Sequence, residues 1–111
     1  MQTGKYDAAF KEIHPLAEKG DAYVQYSLGW LYLRGTGVPQ NYRETEKWWR
    51  LAAQQGLVNA QSNLGAMYAL GIGVPQDYKE AAKWNRKAAE QNFANAQYNL
   101  GVSFEKGLGM P

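Results

Sequence analysis

Three Gly-x-Gly segments (Gly35-Thr36-Gly37, Gly71-Ile72-Gly73 and Gly107-Leu108-Gly109) and a single histidine, His14, are the residues whose type and spacing could do chemistry. A glycine-rich loop cradles phosphate when a strand leads into it and Gly-Lys-Ser/Thr opens a helix behind it, because backbone N–H groups then converge on the anion. None of the three segments continues that way, and no strand pattern precedes them. They read as helix ends closed by a left-handed glycine, followed by a tight turn. His14 has no second histidine and no cysteine with which to share a metal, so the donor set of a zinc site is missing. The carboxylates are spread along outer helix positions, where solvated charge is the default reading, and no Ser-His-Asp grouping occurs. The chain is therefore expected to be no enzyme and to need no cofactor or metal; a hydrolase is the least favoured reading.

Composition narrows the partners. At 111 residues, with 45% hydrophobic and 20% charged residues, the chain has the make-up of one folded domain. A formal charge of +2 is too small to imply nucleic acid or an anionic membrane as the partner. No stretch approaches the roughly 18–20 apolar residues of a membrane span, so no membrane insertion is expected. Residues 1–10 contain Lys5 and Asp7 and no apolar core of a secretory signal. The expectation is a soluble protein, cytoplasmic, or periplasmic or secreted if an upstream signal was removed. The absence of cysteine fits either compartment.

The elements that must position any site repeat every 36 residues. Tyr6, Tyr42 and Tyr78 are in register, as are Gly29, Gly65 and Gly101, and Pro39, Pro75 and Pro111; about half of 42–75 recurs unchanged in 78–111. Such a period marks stacked two-element units, none of which buries its apolar face alone. Residues 42–55 place Tyr42, Thr45, Trp48, Trp49, Ala52 and Ala53 on one helical stripe. Asn41 is expected to cap that helix, with Glu44 three residues on, and Gly56 to end it; Asp77 and Glu80 repeat the start. In 59–70, Ala60, Leu64, Met67 and Tyr68 form the next stripe, with Asn59, Asn95 and Asp21 expected as caps. Gly29, Gly65 and Gly101 fall inside these second-stripe helices, where glycine costs about 0.5–1 kcal/mol relative to alanine. Recurrence of that cost at one register implies a helix–helix approach that a methyl group would block. Helices are predicted at 5–19, 22–34, 41–55, 58–70, 77–91 and 94–106, with no strand. Pro15 interrupts the first of them. Trp48, Trp84, Tyr32, Tyr42, Tyr68 and Tyr78 are expected in the core, and Gln25, Gln61 and Gln97 are expected to bond the backbone of a neighbouring helix.

The run Ala60-Gln61-x-x-Leu64-Gly65-x-x-Tyr68-x-x-Gly71-x-Gly73-Val74-Pro75-Gln76-Asp77-Tyr78, then Ala81, Trp84, Ala88 and Ala89, resembles the Sel-1-like repeat family, a relative of the tetratricopeptide repeats. Thr45 stands where that family usually has Ala, Asn92 where it has Gly, and Phe104 where it has Tyr. The resemblance implies an all-α fold, a right-handed superhelix of antiparallel helix pairs. The expected division is a partial unit 1–20, repeats 21–56 and 57–92, and a partial repeat 93–111, taken from a longer array. It also implies an adaptor role, in assembling protein complexes or in bacterial contacts with a host.

In tetratricopeptide-like stacks the first helix of each pair lines the concave face, which here means 22–34, 58–70 and 94–106. Opposite the core stripe, a helical wheel places Tyr23, Tyr26, Ser27, Trp30, Leu33 and Arg34 in the first unit. The second has Asn59, Ser62, Asn63, Ala66, Ala69 and Leu70, and the third Asn95, Tyr98, Asn99, Val102, Glu105 and Lys106. Aromatics with polar tips, and Arg, are enriched among residues that dominate interfaces. Asn63 and Asn99, one repeat apart, can each give and accept a hydrogen bond from an extended peptide. By analogy with related grooves, Tyr23, Tyr26, Trp30, Arg34, Asn59, Asn63, Asn95, Tyr98 and Asn99 are expected to bind a protein or peptide segment. The competing reading packs Tyr26 and Trp30 on a unit upstream of Met1. A second expectation is self-association through open ends, where Leu100 and Phe104 would remain partly uncovered. On the groove reading, Trp30→Ala and Asn63→Ala weaken partner binding without affecting the melting temperature.

Overall fold

The computed structural model describes residues 3–91. Five helices occupy them: α1 (Thr3–Glu18), α2 (Ala22–Arg34), α3 (Tyr42–Gln54), α4 (Val58–Leu70) and α5 (Tyr78–Ala89), and no strand is present among these residues. The sixth expected helix, 94–106, lies outside the described residues. Each helix packs on its neighbour in chain order, α1 on α2, α2 on α3, α3 on α4 and α4 on α5. α1 continues through Pro15 to Glu18. None of these helices is long and apolar enough to cross a membrane.

The starts of α2, α3 and α5 follow the sequence. Asp21 Oδ1 accepts from the Val24 N–H at 3.0 Å, and Asn41 Oδ1 accepts from Arg43 and Glu44 at 3.1 Å. Asp77 Oδ1 repeats this with Lys79 and Glu80. The reciprocal half of a capping box is not formed. The Asn41 N–H already donates to the Tyr32 carbonyl at 2.9 Å, so Glu44 turns away and accepts from Trp48 Nε1 at 3.2 Å. α4 departs from expectation: Leu57 takes the cap position without a side-chain bond, and Asn59 is exposed inside the first turn. The chain turns from α3 into α4 through Gly56 (φ +94°), and Leu57 packs against the core there. Burial of an apolar side chain, rather than capping, sets where this helix begins.

Two clusters form the interior. The larger is built on Trp49, Ala53, Leu64, Met67, Tyr68 and Trp84, the smaller on Ala17, Leu28 and Trp48. The internal glycines sit where helices touch. A methyl group on Gly29 would overlap the Trp49 indole, and one on Gly65 would lie 2.6 Å from Asn85 Oδ1. Thr45 donates to the Gly29 carbonyl at 2.9 Å, a use for the hydroxyl that the usual alanine lacks. Gln25 and Gln61 donate to the carbonyls of Ala17 and Ala53, both at 3.1 Å. These carbonyls lie in the last turns of α1 and α3, where each also accepts from the N–H of the closing glycine, Gly20 or Gly56, at 3.0 Å. Gln55 and Gln91 in turn donate to Gln25 and Gln61, at 2.9 and 3.1 Å, so a glutamine relay at the α1–α2 junction recurs at the α3–α4 junction. Gln97 lies outside the described residues.

The expected aromatic core is corrected at two positions. Trp48, Trp84 and Tyr68 are buried and Tyr32 packs half-buried against the smaller cluster, but Tyr42 is 37% exposed and Tyr78 is half-buried outside both clusters. The stem of Tyr42 abuts Gly73 in the following loop, where any added methyl would overlap it. Its hydroxyl accepts from Gln40 at the surface. Tyr42 thus clamps one repeat's helix start to the next repeat's loop instead of filling the interior.

Candidate functional site

The face formed by α2 and α4 begins with an aromatic cluster. Tyr26 stacks on Trp49 with ring centroids 6.0 Å apart, and Trp30 meets Trp49 edge-on at 5.2 Å. Trp49 Nε1 donates to the Tyr26 carbonyl at 3.0 Å, which fixes the indole against α2. Tyr26 and Trp30 therefore pack on the following helix, α3. Both remain half-buried. Asn63 Nδ2 donates to the Tyr26 hydroxyl at 3.2 Å, joining α4 to α2 across one repeat. Tyr23 is 69% exposed, and Arg34 is exposed with its guanidinium 4.7 Å from the Trp30 ring centroid.

The structure thus brings Tyr26, Trp30, Arg34 and Asn63 together, with Tyr23 and Asn59 exposed on the same two helices. Asn95, Tyr98 and Asn99 lie outside the described residues, as do Leu100 and Phe104. Ser62 departs from expectation, being only 4% exposed. At Tyr26's register a ring is long enough to emerge; a hydroxymethyl group is not. Asn85 occupies the register of Trp49, and its Oδ1 is buried with no hydrogen-bond partner. The aromatic trio of the first unit is thereby replaced, in the next, by Ser62, Ala66 and Asn85. Across α2 and α4 the only charged side chain is Arg34, whereas α3 and α5 are rich in Lys, Arg and Glu.

Sequence reasoning missed a polar network at the α3–α4 contact. Tyr68 donates to Glu46 Oε2 at 2.7 Å, Arg50 Nε donates to the same oxygen at 2.8 Å, and Arg50 also reaches the Tyr68 hydroxyl. The available signal was Glu46, a carboxylate at a register where Phe10 and Ala82 stand in the other units. Burial opposes the charge on Arg50, but its bonds to Glu46 outweigh this and hold its pKa above the ordinary value. Burial, then the bond to Glu46, push the Tyr68 phenol up to about 12 from an ordinary 10.0. Between those two values the unfolded chain has lost a proton that the native state retains, so stability falls as pH rises. Wild type should lose on the order of 1 kcal/mol more than Tyr68→Phe between pH 10 and pH 12. Urea melts at both pH values check this, and equal losses in the two proteins would refute it.

Among the described residues no cluster of His, Cys, Asp or Glu could hold a metal ion. What the face offers is aromatic surface, amide groups and one stacked cation. Comparison with known proteins agrees with the architecture. The Sel1 repeat matches residues 22–57, 58–93 and 94–111. A Sel1 repeat protein from Oxalobacter formigenes superposes with a TM-score of 0.88 at 38% identity, covering 95% of this chain and 43% of that one. A protective antigen present in uropathogenic Escherichia coli strains, displaying an SLR fold, superposes with a TM-score of 0.86 at 39% identity, covering 90% of this chain and 21% of its own. The chain thus spans less than half the length of either. Comparison with curated protein sequences gave no match. The 36-residue register, the five helices packed in chain order and the matched repeats together place this chain in the Sel1 repeat family.

Proposed function

We propose that this chain is a protein–protein interaction scaffold whose α2–α4 face receives a segment of a partner protein without changing it chemically. Sel1 repeat proteins are in general scaffolds of this kind and are typically not enzymes. The observation that carries the reading is one surface on which Tyr23, Tyr26, Trp30 and Asn63 remain accessible or half-accessible while almost all charge lies on other helices. A face that met only water would carry the charge found on α3 and α5. Trp49 holds the aromatic part rigid from below, so little side-chain freedom is lost when a partner docks.

Trp30→Ala is a poor probe, since it would also remove the edge contact to Trp49. Tyr23→Ala and Asn63→Ala avoid this, because Tyr23 is largely exposed and Asn63 makes a single half-buried bond, to Tyr26. Each is expected to weaken partner capture about tenfold while circular dichroism and melting temperature stay close to wild type. Leu51→Ala and Lys79→Ala, on α3 and α5, serve as controls that retain the partner. If Tyr23→Ala and Asn63→Ala both capture it normally while folded, the binding face lies elsewhere.

A further inference from the structure

Arg34 is the last residue of α2 and is exposed, yet it makes no ion pair with any carboxylate among the described residues. Arg50, by contrast, is held by Glu46. Arg34 instead lies over the Trp30 ring, at 4.7 Å from its centroid. A guanidinium carries five N–H donors in a fixed fork, and a ring beneath it satisfies none of them fully. The acceptor that matches such a fork is planar and has two oxygens, which describes a carboxylate. Trp30 is itself held edge-on by Trp49, so the cation is positioned before anything binds. One repeat further on, at the register of Arg34, stands Leu70, a large apolar side chain left 69% exposed at the end of α4. The Asn63–Tyr26 bond joins the two helices about two turns before these positions.

We propose, resting on the scaffold reading above, that the partner segment is an extended peptide with an Asp or Glu side chain on Arg34 and an apolar side chain on Leu70. α3 packs against both α2 and α4, and an extended chain advances about 3.3 Å per residue, so the acidic and apolar residues stand at one fixed spacing of several positions in the partner.

Selection of a displayed library of linear peptides against the intact chain tests this. Wild type is expected to enrich Asp or Glu with an apolar residue at one fixed spacing of several positions. Arg34→Ala should lose the acidic preference and keep the apolar one, and Arg34→Glu should replace Asp and Glu by Lys and Arg. For one selected peptide, Glu→Gln should weaken binding about tenfold or more on wild type and produce no further loss on Arg34→Ala. Circular dichroism of the variants checks that they fold. Peptides that depend on Tyr23 and Asn63 but show no acidic preference, or one that Arg34→Ala and Arg34→Glu leave unchanged, overturn the proposal and leave the scaffold reading standing. Peptides insensitive to Arg34, Tyr23 and Asn63 alike, or no enrichment at all, overturn both.

Discussion

Trp49→Ala is expected to cost about 3–5 kcal/mol, the range for deleting a buried aromatic side chain. Trp49 is 3% exposed and touches Tyr26 and Trp30 of α2, while belonging to the same cluster as Leu64 and Met67 of α4. Its loss removes a shared wall between two units, and neither can bury that surface by itself. The Gly29 backbone, which lies directly against the indole, would be left facing a void. Native stabilities of single domains are about 5–15 kcal/mol, so the variant should lose between about a fifth and all of its stability. With about 4–8 °C per kcal/mol for a chain near this size, a thermal melt should drop by roughly 15 °C or more. Leu51→Ala, on the same helix at 37% exposure, should shift it by only a few degrees. A drop of under about 5 °C for Trp49→Ala would show that the indole does not bridge the units.

Gly65→Ala should destabilise by about 1–3 kcal/mol, although alanine is the better helix former. The added methyl would lie 2.6 Å from Asn85 Oδ1 and 2.8 Å from Asn85 Cγ. Asn85 is 1% exposed and short, so it cannot swing aside as a long surface side chain would. Either α4 and α5 separate or the amide leaves its rotamer. In an Asn85→Ala background the obstacle is gone, and Gly65→Ala should then be neutral or stabilising through helix propensity. A double-mutant cycle by urea denaturation should return a coupling above about 1 kcal/mol. Additive costs, or a more stable Gly65→Ala in the wild-type background, would remove close helix approach as the reason for this glycine.

Much of the fold was legible from residue types because a solenoid has mostly local contacts. The caps Asp21, Asn41 and Asp77, the left-handed glycines Gly35, Gly56 and Gly71, and the glutamine contacts are all set by residues close in sequence or one helix apart. Asn59 misled because a cap preference worth about 1 kcal/mol competes with burial of Leu57, which is comparable or larger. Tyr42 misled because periodicity reports which face a residue is on, not how far along the helix the neighbouring layer extends. The inner face was legible as a set of positions only. That Tyr26 and Trp30 brace Trp49 and that Ser62 is covered depend on which helix is next to which.

The sequence alone determined the period, the helices and the kind of residue at each register, since all three follow from backbone preference and apolar spacing within a few turns. The tertiary structure alone decided which aromatics are structural and which stay accessible, and that Glu46, Arg50 and Tyr68 form one network. Those outcomes depend on distances between residues from about twenty to nearly forty positions apart, such as Trp49 to Tyr26 and Asn63 to Tyr26. Only the packing of one helix hairpin on the next sets them.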